Sequence, residues 1–225
     1  MSAASITMGC FITLEGGEAA GKSTQARLLA AWLNEQGVRT VITREPGGVD
    51  GAEEIRQLLL TGQRGRWDAL AEALLHYAAR RQHVARLILP ALEQGLWVIC
   101  DRFFDSTTAY QGFGQGIDRA TLDRIRFVSL GDFQPDLTIV LDIDPDSRQS
   151  RIAARSTNMD RYELMDEAFH DRVRDAFLEI ARLDPLRCCV IDAASSLSVV
   201  ADAVRMVVSQ RLRSRLAGYV DQGGK

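Results

Sequence analysis

The chain has 225 residues, 46% apolar and 25% charged, which fits a globular protein and excludes a disordered or fibrous one. A chain of this length buries about 70–75% of the surface its unfolded form exposes, so it needs no disulfide or metal staple. The net charge of −3 argues against a polybasic surface, and neither nucleic acid nor an anionic membrane is expected as a partner. Among the 27 basic residues only Lys22 and Lys225 are lysines, which singles out Lys22 as the one internal ammonium.

Met1–Gly9 lacks the basic and apolar regions of a signal peptide, so none is expected. Cys10–Glu15 reads as a buried strand, followed by a glycine-rich turn and a helix from Lys22 to Gln36 that Gly37 closes. Val38–Thr43 is the next predicted strand, Arg44–Gly48 a turn, and Asp50 the expected cap of a further helix. A long helical pattern runs from Asp68 to Gln94. One of its apolar tracks carries Leu70, Leu74, Tyr77, Val84 and Ile88, and an adjacent one Ala71, Leu75, Ala78, Ala85 and Leu89. So wide an apolar face predicts burial on two sides, in the core of a monomer or against a second subunit.

Leu96–Cys100, Leu137–Asp142 and Cys188–Asp192 are the remaining strands; helices are expected up to Arg182 and over Leu197–Leu216, with a frayed tail from Gly218. The four cysteines show no metal-ligand spacing and lie in or beside apolar runs, as reduced buried thiols of a cytoplasmic protein would. No apolar run approaches the roughly 18 residues of a membrane span. Strands alternating with helices predict an α/β fold over residues 1–225 as one domain, a five-stranded parallel sheet with helices on both faces. Ligands of such sheets sit at the carboxyl ends of the strands.

Gly16–Ser23 (GGEAAGKS) matches the P-loop pattern G-x-x-x-x-G-K-[ST] between a strand and a helix. Its backbone amides, with the helix end behind them, suit phosphate oxygens. Gly16, Gly17, Glu18, Ala19, Ala20, Gly21, Lys22, Ser23 and Thr24 are therefore the predicted ATP-binding segment. Lys22 would reach the β- and γ-phosphates and Ser23 would bind Mg²⁺. A GTPase would need an N-K-x-D guanine reader, which is absent, and a motor usually carries further coupling elements. A kinase of small molecules remains, with a non-catalytic nucleotide-binding assembly protein as the distant alternative.

Asp101–Gly112 (DRFFDSTTAYQG) follows the third strand. Asp101 is placed to act on Mg²⁺ or its waters, and Arg102 offers a planar fork for a phosphate. EGGEAAGKST, TREPGG, LLHYAARRQ, DRFFDSTTAYQG and DRYE occur in this order along the chain, and in them the sequence resembles the thymidylate kinases over nearly its whole length. The resemblance implies a P-loop NTPase fold, transfer of the ATP γ-phosphoryl group to dTMP with Mg²⁺, and a homodimer. It places Glu18 at a carboxylate near the sugar 3′-hydroxyl or the metal's water, and Pro46 as a wall of the base pocket. Arg80 takes the position that donates to the thymine ring, Thr107 the Watson–Crick edge, and Tyr110 the underside of the sugar. His76 stands where the family usually has a phenylalanine stacked on the base. Arg81 is expected to face solvent, and His83 and His170, which match nothing, to lie on the surface. A kinase of another nucleoside monophosphate or of a deoxynucleoside is the alternative reading.

Phosphoryl transfer needs cations beyond the P-loop lysine, and the variable P-loop positions hold no arginine. Arg148, Arg151 and Arg155 fall on one helix face, in the manner of a lid over about residues 148–161. Of these, Arg151 and Arg155 are the predicted catalytic arginines, together with Arg102 and Lys22. In the DRYE element, the resemblance brings Asp160 and Tyr162 to the monophosphate.

Overall fold

A computed structural model of the chain describes residues 9–63, 65–154 and 161–220. It begins with β1 (Phe11–Glu15), α1 (Lys22–Glu35), β2 (Thr40–Arg44) and α2 (Asp50–Leu60). Next comes α3 (Ala69–His83), which passes through a π turn at Val84–Ile88 into α4 (Leu89–Glu93). The π turn comes just ahead of Pro90, which lacks an N–H and does not suit a regular helix interior. Then follow β3 (Trp97–Asp101) and α5 (Phe104–Thr107), the latter continued by a second π segment at Thr108–Gly114. The remainder is α6 (Arg119–Leu130), β4 (Leu137–Asp142), α7 (Pro145–Ala153), α8 (Glu167–Leu183), β5 (Cys188–Asp192), α9 (Leu197–Arg211) and α10 (Arg213–Val220).

All strand pairs are parallel, in the order β2-β3-β1-β4-β5. Period-two alternation divides the strand residues between two faces. Ile12, Leu14, Trp97, Ile99, Leu137 and Ile139 pack with Leu29 and Leu33 of α1 and Val204 and Val208 of α9. On the other face Phe11, Val98 and Cys100 meet Tyr77 and Ile88, while Val140 and Cys188 meet Phe169, Val173 and Phe177 of α8. Burying these two faces is what holds helices to both sides of the sheet. Thr13 and Thr138 stay on the second face because they pair with each other at 2.8 Å, and Arg187 binds both Thr138 and Asp105 at 2.7 Å.

The five strands fall within two residues of their expected ends, but several local expectations do not hold. Asp50 is the first residue of α2 and makes no capping bond; Val49 precedes it in extended backbone. The long helix is where it was expected, capped by Asp68 accepting from the Ala71 amide at 2.9 Å, but its second apolar track is only partly buried: Leu92 is buried, while Ala71, Leu75 and Leu89 are half-buried. Ala78 and Ala85 are exposed, as are Leu70 and Leu74 of the first track, while Glu72, Arg80 and His83 are buried. His83 is fully buried and His170 nearly so, against the expectation of surface positions for both. The final helix breaks at Leu212 and resumes as α10, which runs to Val220; residues 221–225 of the expected tail lie outside the described residues.

Candidate active site

The carboxyl ends of β1, β2 and β3 surround a cavity of about 330 Å³. The P-loop lines one end; the Glu45–Pro46 turn, His76 and Arg80 line the other; Arg102, Tyr110 and Tyr162 stand between. The P-loop follows β1, the Glu45–Pro46 turn follows β2 and Arg102 follows β3, while His76 and Arg80 come from α3, so the fold brings together what the sequence separates.

At the P-loop end the tight path is set by backbone. Gly16 has φ 132°, and an added Cβ would lie 2.3 Å from the Leu141 carbonyl oxygen, so only glycine fits against β4. Lys22 is buried and donates to the carbonyls of Gly16 at 3.1 Å and Gly17 at 2.6 Å. Burial, reinforced by Arg102, lowers its pKa to about 8. Ser23 donates to the Asp101 carboxylate, which joins the two residues expected at the metal. Hydroxyl and carboxylate form an all-oxygen donor set that suits Mg²⁺. Among the described residues no group of three or more His, Cys, Asp or Glu could hold a metal ion by itself.

Arg102 is in the left-handed region at φ 73°, an uncommon conformation for a non-glycine residue. Its Nη1 donates to Gly16 O at 3.0 Å and Ser106 Oγ at 3.1 Å, and Nη2 to Glu18 at 2.7 Å and to the Tyr110 hydroxyl at 3.1 Å. Tyr110 in turn donates to the same Glu18 oxygen at 2.7 Å. Burial would raise the Glu18 pKa, but Arg102 and Lys22 prevail and bring it to about 2. Glu18, Arg102 and Tyr110, read separately from the sequence, form one unit.

At the opposite end Arg80 is almost fully buried between the rings of Tyr77 and Phe103, at 4.7 and 5.4 Å from their centroids. Its Nε donates to Glu45 at 2.6 Å, and its Nη2 donates to Phe103 O at 3.0 Å and Thr107 Oγ1 at 3.1 Å. Nη1 is buried and has no hydrogen-bond partner among the described residues. Thr107 lines the cavity and also accepts from Arg80. Pro46 lines the cavity, and its carbonyl accepts from Arg56 at 2.7 Å. Arg44, at the cavity's rim, is exposed and pairs with Glu53, and Arg81 faces solvent as expected.

His76 borders the cavity four residues from Arg80, and its Nε2 is 3.0 Å from the Tyr162 hydroxyl. Tyr162 donates its proton to Glu72 at 2.9 Å, so the imidazole is the donor to Tyr162. Burial, with the charges of Arg80 and Arg161, lowers the His76 pKa to about 3, and the ring is neutral. Glu72 also accepts from Arg161, and from Gln111 and Gln115 at 2.8 Å each. Sequence reading missed Glu72, Glu45 and Arg161; for Glu72 the available signal was a charged residue at a helix position flanked by core positions, while Glu45 and Arg161 lie in turns and carried no such signal.

Arg151 lies against the P-loop, donating to Ala19 O at 3.3 Å and Ala193 O at 2.6 Å. Arg148 is buried beside Gly16, Gly17 and His170, and its Nε has no partner among the described residues. Arg155 and Asp160 lie outside the described residues. All four cysteines are free, Cys10, Cys100 and Cys188 buried and Cys189 partly so. No helix among the described residues is long and apolar enough to cross a membrane.

A family model described as thymidylate kinase matches residues 14–204. The chain belongs to the thymidylate kinase family. It is 49% identical to the thymidylate kinase of Bradyrhizobium sp. (strain ORS 278) over 211 residues, 93% of each protein. It is 52% identical to that of Rhizorhabdus wittichii over 84% of this chain and 91% of the relative. The crystal structure of thymidylate kinase from Ehrlichia chaffeensis superposes with a TM-score of 0.75 at 40% identity, covering 89% of this chain and 99% of that one. The α/β fold is thus that of a P-loop NTPase, and the family is one of ATP-dependent phosphotransferases.

Proposed function

We propose that the chain transfers the γ-phosphoryl group of ATP to dTMP, giving dTDP, in the cavity between the P-loop and Arg80. The observation that carries this reading is the cavity itself, which joins a phosphate loop to a buried guanidinium with one unused N–H pair. Gly16–Thr24 would hold the ATP phosphates, with Lys22 on the transferred group. Mg²⁺ would be held by Ser23 and through Asp101, and it supplies charge neutralisation between the phosphates. Arg80, Thr107, Pro46 and His76 would enclose the thymine, with Tyr110 and Glu18 beside the sugar. Arg102 and the element containing Asp160 and Tyr162 would take the acceptor phosphate. Arg151, already against the P-loop backbone, would meet charge developing in the transition state. Arg155 completes the proposed lid over residues 148–161 of a single domain.

A homodimer is supported by exposed apolar side chains on two neighbouring helices, Leu70 and Leu74 of α3 with Phe127 and Val128 of α6. Four free cysteines support a reducing, cytoplasmic setting. A panel of nucleoside monophosphates with ATP and Mg²⁺ tests the assignment through the diphosphates formed. dTMP should be best, dUMP about 10–200-fold less efficient for its missing methyl group, and purine monophosphates nearly inert. Equal kcat/KM for dTMP and AMP would overturn it in favour of another nucleoside monophosphate.

A further inference from the structure

His83 is fully buried and touches no part of the cavity lining's open space, yet it grips the residues that shape the Arg80 end. Its Nδ1 is 3.0 Å from Glu45 Oε1, and its Nε2 is 2.7 Å from Thr43 Oγ1. A hydrogen bond to a carboxylate oxygen needs a donor, so Nδ1 carries a proton whatever the charge of the ring. Gly48, at φ +89°, closes the same turn: an added Cβ would fall 2.5 Å from His83 Nε2 and 2.6 Å from Thr43 Oγ1. The Thr43–Gly48 segment therefore wraps the imidazole. Arg80 and His83, three residues apart on one face of α3, hold the two oxygens of one carboxylate.

That division of Glu45 matters for Arg80. Arginine and carboxylate favour a bidentate fork of two parallel N–H···O bonds. Here Glu45 gives one oxygen to each partner, Oε1 to His83 Nδ1 and Oε2 to Arg80 Nε. Nη2, on the same side of the guanidinium as Nε–H, is left to Phe103 O and Thr107 Oγ1. In this orientation Nη1 is the part of the group without a partner among the described residues. A Glu45 released from His83 would lose the anchor that fixes its carboxylate, and with it the fixed point that holds Arg80 Nε.

We propose that His83 is a positioning residue for base recognition: by anchoring one oxygen of Glu45 it fixes the carboxylate that holds Arg80 through Nε, and so sets where the guanidinium stands in the cavity wall. The inference rests on the reading that the Arg80 end of the cavity takes the pyrimidine. Two substitutions separate the two ring nitrogens. His83→Asn places an amide N–H where Nδ1 was and loses the Thr43 contact. His83→Gln places its amide near the Nε2 position and loses the donor to Glu45. KM for dTMP and for ATP, kcat and Tm are measured for both, with Arg80→Lys alongside. His83→Gln should raise KM for dTMP about tenfold or more and leave KM for ATP within about twofold, while His83→Asn stays within about threefold of the parent. Equal KM values for dTMP in the two His83 variants, or a KM that follows loss of Tm in both, would overturn the proposal. A KM for dTMP unmoved by Arg80→Lys would overturn the underlying assignment of the base, which the His83 pair alone does not address.

Discussion

At the P-loop end of the cavity, groups of opposite charge hold one another across the space a phosphate would enter; at the Arg80 end, the charges are paired behind the wall and one donor is left over. Lys22, Arg102, Glu18 and Asp101 come from two chain segments that flank β1 and β3, and their partners include backbone carbonyls. Arg80, Glu45 and His83 are almost fully buried and satisfy one another side chain to side chain. The first arrangement suits a ligand that brings its own strong charge, since the cations need only exchange partners. The second suits a neutral base, which could not itself compensate a buried guanidinium. A carboxylate does so in advance.

Substitutions can break this comparison. The largest effect is expected from Lys22→Ala, which removes the only internal lysine. Turnover should fall by about 10³-fold or more, with KM for dTMP little changed, as steady-state kinetics would show. Arg151→Ala comes next, with a loss in kcat of roughly 10²–10³-fold and kcat/KM falling in parallel, the sign of a contact made only in the transition state. Near-parental kcat would place the lid's charge elsewhere.

The pH dependence sharpens the contrast. With a pKa lowered to about 8, Lys22 of the free enzyme loses its proton as pH rises through that value, and its attraction for phosphate goes with it. kcat/KM for ATP should therefore decline above about pH 8, while the limb of kcat lies at higher pH because bound phosphate favours the ammonium. His76, with a pKa lowered to about 3, stays neutral between pH 6 and 8 and should add no step of its own to the pH profile of kcat/KM for dTMP there. The smallest effect is expected from His76→Phe. Tyr162 keeps its bond to Glu72 and its contact with Arg161, so KM for dTMP should move less than about threefold.

These two ends also differ in how far they could be read from sequence. A P-loop is a local object: glycines, a lysine and a hydroxyl at fixed spacing, bounded by a strand and a helix, are enough. Lys22, Ser23 and Asp101 were legible for that reason, as was the five-stranded parallel sheet, whose apolar runs are unmistakable. Glu45 with His83, and Glu72 with Arg161, are not adjacent in sequence and become partners only when β2, α3 and the segment before α8 pack together. Local pattern assigns such charges to solvent, and His83 was misread on that basis. The apolar tracks of α3 misled in the opposite sense, because side chains such as Leu74 and Ala78 were given burial that Glu72 and Arg80 actually take.

Arg102 carries a consequence for selectivity against small anions. Its four Nη hydrogens are spent on Gly16, Ser106, Glu18 and Tyr110, so the vacant enzyme offers no naked cation there. An arriving phosphate must either approach the remaining Nε–H or trade places with Glu18. Under the proposed assignment, a nucleotide held by its base at Arg80 would favour that trade more than free orthophosphate does. The Glu18–Arg102–Tyr110 unit would then act as a turnstile that a phosphate passes more readily when it arrives attached to a nucleoside.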